Sequence, residues 1–284
     1  MTGSGTGSSA ASGTAARVRV LTWNVWWRFG PAWRERQPAL LRRMREAAPD
    51  LLALQECWGA EDTTQAHEFA DRLGLSAAYV SPGLPPAPQP PRSPDEAGVR
   101  VGIGLLSRWP IAAARAAPMP SRHRTPVPVA LVATVEHPAG PLHVVVACLE
   151  WEPAYADDRI AQTHACAQLA TDPLTDGPLP VILCGDLNAA PDSPVLRPVR
   201  DTLLDAWAAG NGDPGAKTLP SEHPQASLEV GELIDRRIDH VFFRPGQPGL
   251  RIDVPVATLV GDPVDGLYPS DHMGVLCELT WRAA

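Results

Sequence analysis

The sequence has no long uncharged run and no paired cysteine motif. No segment of its 284 residues has the apolar length of a membrane-spanning helix. Residues 1–16 are rich in Gly, Ser, Thr and Ala and lack the basic start and apolar centre of a secretory signal, so we predict a disordered tail there. The five cysteines are an odd number without CxxC spacing, which argues against a disulfide framework or zinc knuckle and favours a reducing, cytoplasmic setting.

Basic charge is also scarce. The formal net charge of −8 argues against tight non-specific binding to nucleic acid, although a nuclease that approaches phosphate through a divalent metal would still be compatible. An arginine cluster between Arg34 and Arg45 is interpreted as the solvated face of a helix. No hydrophobic hairpin or basic amphipathic helix indicates an enzyme seated in a membrane. Because there is no linker or tandem repeat, we predict one domain over residues 17–284 and expect a monomer.

Apolar periodicity predicts strands and helices in irregular alternation. The predicted strands cover 17–23, 51–54, 76–80, 99–106, 127–135, 142–148, 181–184, 238–243 and 274–281. The predicted helices cover 32–47, 61–73 and 157–170, the last capped by Asp157, with short helical pieces at 192–204. The proline-crowded segment 81–94 is predicted to be a surface loop or a flap beside a site. Neighbouring strands that form hairpins favour an α+β fold of mixed sheets with helices outside.

Polar side chains stand at the ends of five of these strands. They are Asn24, Glu56, Asp186 with Asn188, Asp239 with His240, and Asp271 with His272. Oxygen donors of this kind suit Mg²⁺ or Mn²⁺ better than zinc. A hard cation, an Asp that takes a proton from water and a His–Asp pair together suit phosphoryl chemistry. Each residue has a structural alternative, such as a helix cap, a turn or an arginine pair, but five coincidences explain the whole set poorly.

Six short motifs in order resemble those of the endonuclease/exonuclease/phosphatase superfamily. They are Thr22-Trp23-Asn24, Leu54-Gln55-Glu56, Gly104-Leu105-Leu106-Ser107-Arg108, Gly185-Asp186-Leu187-Asn188, Arg237-Ile238-Asp239-His240-Val241 and Ser270-Asp271-His272. That superfamily includes deoxyribonuclease I, exonuclease III, sphingomyelinases and inositol polyphosphate 5-phosphatases. The resemblance covers residues 17–282. It implies a four-layer α/β/β/α sandwich, with the site where the strand-end loops of the two sheets meet.

The resemblance also implies a role for each strand-end residue. Glu56 would be the principal Mg²⁺ ligand, with Asn24 and Asp271 beside it and Mn²⁺ as an alternative ion. Asp186 would orient or deprotonate the attacking water, and Asn188 would hydrogen-bond the phosphate or that water. His272 would contact the phosphate while Asp239 holds it. Whether Asp186 or the His–Asp pair is the base stays open.

One position departs from the superfamily pattern. Cys148 stands where the superfamily commonly has a histidine that donates to a phosphate oxygen or helps to protonate the leaving group. A thiol is a poor donor and a poor acid, although its place still makes Cys148 a candidate for contact with the substrate. His123, Arg124 or His164 could supply the donor, the substrate could have a good leaving group, or the protein could be slow or inactive.

The favoured function is Mg²⁺-dependent hydrolysis of a phosphodiester or phosphomonoester in a small molecule, nucleotide or lipid headgroup. The alternatives are a non-specific DNA or RNA nuclease and a catalytically silent binding protein with this fold. Tryptophan is plentiful, with nine residues, and most of them are interpreted as packing. Trp26, Trp58 or Trp151 would stack a base or ring if it lined the cleft.

Overall fold

The computed structural model describes residues 16–224, 231 and 233–282. The strands are β1 (Ala16–Asn24), β2 (Leu51–Gly59), β3 (Ser76–Val80), β4 (Arg100–Ser107), β5 (Ile111–Pro118), β6 (Val129–His137), β7 (Gly140–Cys148), β8 (Val181–Asp186), β9 (Leu204–Asp205), β10 (Asp239–Arg244), β11 (Arg251–Val260) and β12 (Gly274–Arg282). The α-helices are α1 (Trp33–Ala47), α2 (Gln65–Leu73), α3 (Ala156–Ala170), α4 (Arg197–Arg200) and α5 (Ala206–Ala209). The predicted tail lies outside the described residues except for Ala16, which opens β1.

The strands form two mixed six-stranded sheets. Their orders are β11-β12-β1-β2-β4-β3 and β5-β6-β7-β8-β10-β9. Each sheet has one parallel pair near its centre, β1 with β2 and β7 with β8, and antiparallel strands around it. The fold is therefore the predicted α+β arrangement of mixed sheets.

Three apolar clusters arrange these sheets and helices in layers. The largest joins side chains of both sheets, such as Val20 and Val144, and so fills the space between them. A second cluster packs α1 and α2 against the outer face of the first sheet, and a third packs α3 against the outer face of the other. Burial on both faces of each sheet explains why its central strands are almost continuously apolar. The result is the expected four-layer α/β/β/α sandwich.

Three edge strands, β5, β9 and β11, were absent from the prediction. Strand β9 begins at Leu204, the last residue of the segment predicted as short helical pieces, and pairs with β10. The β5 sequence is mostly alanine, which has low strand propensity, and its strand status depends on pairing with β6. In β11, Pro255 lies within a register shift between Asp253 and Val256. Proline is tolerated at such edge irregularities but weakens the strand signal in a sequence.

Two helix starts also differ from the prediction. Helix α2 begins at Gln65 because the side chain of Thr64 accepts a hydrogen bond from the His67 backbone nitrogen (3.2 Å) and caps it. The predicted Asp157 cap of α3 is wrong, since Tyr155 occupies the N-cap position and makes no side-chain capping bond. Acidic Asp157 and Asp158 lie in the first turn instead, where they favour the positive end of the helix dipole.

The strand directions gather the predicted polar residues at one edge of the sandwich. Parallel β1 and β2 end there, as do parallel β7 and β8. Because β10 runs antiparallel to β8, its first residue, Asp239, is the partner of Asp186, the last residue of β8. In the same way β12 runs antiparallel to β1, so Asp271 and His272, which precede it, reach the end of β1.

A glycine permits the close strand pairing just before Asp186. Gly185 has φ 146°, and a Cβ at this position would lie 1.8 Å from the Ala147 carbonyl oxygen on β7. No L side chain fits that space or that backbone conformation without strain. Gly185 therefore allows β8 to carry Asp186 to the same edge as Cys148.

The described residues include all five cysteines, and each is a buried free thiol. None of the helices in this described part of the chain is long and apolar enough to cross a membrane.

Candidate active site

A cavity of about 390 Å³ opens at this edge of the sandwich. Its lining includes polar groups, namely Glu56, Cys148, Asp186, Asn188, Asp271 and His272. It also includes larger and mainly apolar groups, namely Phe29, Pro85, Pro86, Arg92, Trp151 and Leu219. The proline-rich segment 81–94 thus lies beside the site, in agreement with the second of the two interpretations given for it above.

Glu56 reaches the cavity from an irregularity in β2. The register of β2 against β4 shifts between Leu54 and Cys57, and Glu56 has φ 55°, a strained value for a non-glycine residue. Its Oε1 accepts a hydrogen bond from Asn24 Nδ2 at 2.8 Å. Its Oε2 is buried and has no hydrogen-bond partner among the described residues. Burial, followed by the nearby charge of Asp271, raises the pKa of Glu56 to about 8.

Asn24 connects two of the carboxylates. Besides Glu56, its Nδ2 donates to Asp186 Oδ2 at 3.1 Å, while its Oδ1 accepts from the Trp26 backbone nitrogen at 2.9 Å. Asn24 is fully buried, so it lies beneath the cavity rather than on its surface. This arrangement uses the amide nitrogen to hold the carboxylates together.

Asp186, His272 and Asp239 form a buried chain of hydrogen-bonding groups. The His272 Nδ1 donates to Asp239 Oδ2 at 2.9 Å, and its Nε2 lies 3.9 Å from Asp186 Oδ2. Burial, with the charge of Asp239, raises the pKa of Asp186 to about 7. Burial alone would lower the pKa of His272, but the charges of Asp239 and Asp186 outweigh it and raise that pKa well above its ordinary value. The chain thus favours an imidazolium facing the cavity.

Asp271 completes the acidic side of the site. The Ser270 hydroxyl lies 3.3 Å from Asp271 Oδ1 and donates to the Asn24 carbonyl at 2.7 Å, which joins the first and last motifs. Burial raises the pKa of Asp271.

Arg36 was missed as a residue of the site. It belongs to the arginine cluster interpreted as a solvated face, but it is 1 % exposed, whereas Arg34, Arg42 and Arg45 are exposed. Its guanidinium donates to backbone carbonyls, including those of Phe29 at 2.7 Å and Val25 at 3.3 Å. Burial lowers the pKa of Arg36 to about 10, while the charges of Asp271 and Glu56 oppose that change. Because its contacts are with distant backbone groups, the sequence carries no local signal for it.

Asn188 lies at the cavity, whereas His240 lies away from it. Asn188 lines the cavity, and its Nδ2 donates to the Leu149 carbonyl at 2.9 Å. Its backbone nitrogen donates to Asp186 Oδ1 at 3.1 Å, which orients that carboxylate. His240 is fully buried away from the cavity, with Nε2 2.8 Å from the Ala189 carbonyl, so it supports the fold and not the site.

Cys148 lies in the cavity wall opposite Asp186 in the strand register. Its Sγ is 3.4 Å from the Leu84 carbonyl, and burial, with the charge of Asp186, raises the pKa of the thiol well above its ordinary value. The three alternative donors lie elsewhere. His123 pairs with Asp158, Arg124 pairs with Glu150 and Glu152, and His164 lines a separate groove. Arg92, from the proline-rich segment, does line the cavity and is a larger hydrogen-bond donor than the Cys148 thiol.

The sequence profile of the Endonuclease/Exonuclease/phosphatase family matches residues 21–272, which contain every residue of the site. The chain belongs to this family. Members of this family are metal-dependent phosphoric ester hydrolases, which is the enzyme class predicted from the sequence. This agrees with the resemblance inferred from the six motifs.

Several solved structures share the family fold. TDP2 of D. rerio, complexed with a single-strand DNA product, is 18% identical with a TM-score of 0.70, covering 93% of this chain and 99% of that one. The human Nocturnin catalytic domain with a bound sulfate anion is 21% identical with a TM-score of 0.67, covering 94% and 95%. A Beutenbergia cavernae family protein is 24% identical with a TM-score of 0.68, covering 93% and 71%.

A curated relative also matches part of the sequence. Nocturnin of Drosophila melanogaster is 28% identical over 125 residues, or 36% of this chain. The match spans 20% of that protein's length. The structural likenesses establish the fold and the family profile establishes the family, and they leave the substrate to be argued from the cavity.

Proposed function

We propose that the protein hydrolyses a phosphate ester by Mg²⁺-dependent attack of water in this cavity. The observation that carries the proposal is the convergence of Glu56, Asp186 and His272 on one wall, with Asp239 behind His272. A phosphodiester or phosphomonoester of a small molecule, nucleotide or lipid headgroup is the substrate class.

The chemistry of the wall fits a hard divalent cation. Glu56 Oε2 is a buried carboxylate oxygen without a partner in the described part of the chain, which is costly unless a cation meets it. Glu56 and Asp271 would hold Mg²⁺ or Mn²⁺, with Asn24 beside them, because such ions prefer oxygen ligands. When bound, the ion would supply positive charge to the phosphate oxygens.

Asp186, Asp239 and His272 are a second group that is compact enough for a metal, with ligand atoms within 4.8 Å of one another. We assign this group to proton handling instead. The His272 Nδ1 is already engaged by Asp239, and Asp239 is fully buried behind it. An imidazole held in this way is oriented for hydrogen bonding to a substrate.

Asp186 orients the attacking water and accepts its proton. A pKa raised to about 7 places this carboxylate near the range in which a general base works best at neutral pH. His272 presents its Nε2 side to the phosphate, and its positive charge opposes the charge that develops there. Asn188 donates to the phosphate or holds the water, and Asp239 fixes the orientation of the imidazolium ring.

A non-specific nuclease is the second candidate. The TDP2 structure with a single-strand DNA product supports it, since that protein shares the fold. The net charge of −8 favours smaller substrates, because no excess of basic residues compensates a nucleic-acid backbone.

The test is a panel of phosphate esters with Mg²⁺, Mn²⁺ or EDTA, run beside plasmid nicking. Bis- and mono-nitrophenyl phosphates report nitrophenol release. We expect metal-dependent hydrolysis that Glu56→Gln and Asp186→Asn each lower by at least about 100-fold, the usual scale of such contributions. The exposed carboxylate variant Asp253→Asn is the matched control and should keep wild-type rates.

Hydrolysis that persists unchanged in both site variants would refute the mechanism. A wild-type protein that is inactive on the whole panel would instead favour the silent binding protein. Plasmid nicking faster than ester hydrolysis would select the nuclease.

A further inference from the structure

The structure separates the three tryptophans that were candidates for stacking. Trp58 is 4 % exposed, packs in the core and does not line the cavity. Trp26 lines the cavity, but its ring is in close contact with Gly30 and has the Arg36 guanidinium 4.5 Å from its centroid. Trp151 is partly buried and lines the cavity, and among the residues that the structure describes no arginine or aromatic ring covers it. It is therefore the tryptophan best placed to meet a ligand.

Trp151 is held in place by apolar packing and by a hydrogen bond within its own segment. Its ring packs against an apolar cluster of Leu219, Leu233 and Ile238. Its backbone nitrogen donates to Glu150 Oε1 at 3.1 Å, and the Glu150 carboxylate is fully buried. Such support lets a ring accept a partner without losing side-chain freedom on binding.

The Glu150 carboxylate is fixed in turn by Arg124. The guanidinium donates to both carboxylate oxygens, through Nε at 2.7 Å and Nη2 at 2.6 Å. One residue earlier, the Leu149 carbonyl accepts from Asn188 Nδ2 at 2.9 Å. The segment that carries Trp151 is thus tied directly to the residue that would contact the phosphate.

The rest of the cavity indicates what partner suits this ring. Arg92 and His272 are the basic side chains among the described residues that line it. Two basic side chains are too few to neutralise an ester that carries several further phosphates, or a long phosphate backbone. Phe29, Leu219 and the prolines of the 81–94 segment instead offer apolar surface. A group with an apolar face beside one phosphate matches this division.

Cys148 leaves additional room in the cavity. It lies three residues before Trp151 and lines the same cavity, and a thiol occupies less volume than the imidazole that the family pattern led us to expect.

We propose that Trp151 is the platform for a flat unsaturated ring of the substrate, so that the enzyme prefers phosphate esters that carry a nucleobase-like ring to aliphatic ones. The inference rests on the proposed function and names its substrate class. Stacking of a base on an aromatic side chain is sequence-tolerant and strong enough to set such a preference.

The experiment compares two diesters that release the same 4-nitrophenolate, thymidine 5′-(4-nitrophenyl phosphate) and methyl 4-nitrophenyl phosphate. Because the leaving group is shared, the ratio of the two kcat/KM values reports the contribution of the nucleoside, and the change of that ratio in the Trp151 variants reports the part that depends on stacking. Wild type should prefer the thymidine ester by about tenfold or more, within the range of one stacked base. Trp151→Leu should lower kcat/KM for the thymidine ester far more than for the methyl ester and so bring the ratio close to one. Trp151→Phe keeps a ring and should retain most of the preference.

Trp109→Leu is the matched control. Trp109 is also partly buried, but it follows β4 at the opposite end of the strand from the site and contacts His137. Its variant should keep the wild-type ratio. An unchanged ratio in Trp151→Leu, or a wild type without preference, overturns the inference while the proposed function stands.

If wild type hydrolyses neither ester, the proposed function fails and binding decides the inference. Thymidine 5′-monophosphate with Mg²⁺ is then titrated by calorimetry. Binding that is about tenfold weaker in Trp151→Leu than in wild type supports the platform. Equal binding by the two proteins, or none by wild type, overturns it.

Discussion

Asp186 and Asp239 are direct partners across antiparallel β8 and β10, and one imidazole contacts both of them. His272 donates from Nδ1 to Asp239 at 2.9 Å and lies 3.9 Å through Nε2 from Asp186. The two carboxylates repel each other, and an imidazolium between them lowers that cost. Because the charge of Asp239 contributes to the raised pKa of Asp186, a change at Asp239 must alter the pKa of Asp186.

Asp239→Asn should lower kcat/KM by about 10²- to 10⁴-fold, because it leaves the His272 ring without its orienting anion. Both pKa values should fall as well. His272 loses a charge that raises its pKa, and Asp186 loses the charge that, after burial, raises its own. The bell-shaped dependence of kcat/KM on pH should therefore move to lower pH on both limbs. Asp253→Asn should leave the profile in place, and a fall in rate without any shift would contradict this coupling.

The metal-free protein should lose stability as pH rises from about 4.5 to about 8. In the folded state the pKa of Glu56 is raised to about 8 from an ordinary 4.5, mainly by burial. Over this interval the folded state holds a proton that the unfolded chain releases, so the free energy of unfolding falls with pH. Urea unfolding in EDTA measures the loss. Glu56→Gln should reduce it by at least about 1.4 kcal/mol, the equivalent of one pKa unit.

Added Mg²⁺ provides the second half of that test. Because a cation favours the ionised carboxylate, it should raise the stability of wild type at pH 8 more than that of Glu56→Gln. Equal pH slopes in EDTA for the two proteins would count against a buried, protonated Glu56.

Cys148→His should raise kcat/KM most for esters that have a poor leaving group. An imidazole can donate to a phosphate oxygen or to the departing oxygen, whereas the buried thiol has a raised pKa and donates weakly. We expect kcat/KM for a phenyl ester to rise relative to that for a 4-nitrophenyl ester by about tenfold. Cys148→Ser, which keeps the small volume, should leave the ratio unchanged. Equal losses for both esters in the histidine variant would show that the cavity cannot accommodate the larger ring.

Arg124→Met should destabilise the protein and reduce its preference for the thymidine ester over the methyl ester. It leaves the fully buried Glu150 carboxylate without its bidentate partner, a change that costs about 3 to 5 kcal/mol in comparable buried pairs. Removing the exposed pair of Arg42 and Glu46 by Arg42→Met should cost less than about 1 kcal/mol. Chemical denaturation gives both values. A loss in Arg124→Met no larger than the control would mean that the ion pair does not hold the Trp151 segment.

Much of the site could be anticipated because its residues stand at strand ends. A short apolar strand closed by a polar side chain is a local pattern, and Asn24, Glu56 and Asp186 each show it. Asp239 and His272 could be predicted for the same reason, although they stand at or just before the starts of their strands and not at the ends. The central strands were readable because burial on both faces makes them apolar.

Other parts depend on contacts that no local pattern reveals. Arg36 has the same surroundings in sequence as its exposed neighbours, and burial against distant carbonyls alone distinguishes it. Strands β5 and β11 are held by pairing at sheet edges despite poor intrinsic propensity. The positions of Trp151 and Arg92 across the cavity depend on how two separate loops meet.

The proline-rich segment 81–94 is attached to the sheets through backbone groups, with Gly83 donating to the Val101 carbonyl and Val129 donating to that of Pro82. It supplies Pro85, Pro86 and Arg92 to the cavity, but none of the acidic residues or the histidine. Part of the cavity lining is therefore encoded in a stretch of the gene that is separate from the residues proposed for catalysis. Evolution, or a library confined to this one segment, could retune which esters are accepted while the hydrolytic machinery is inherited intact.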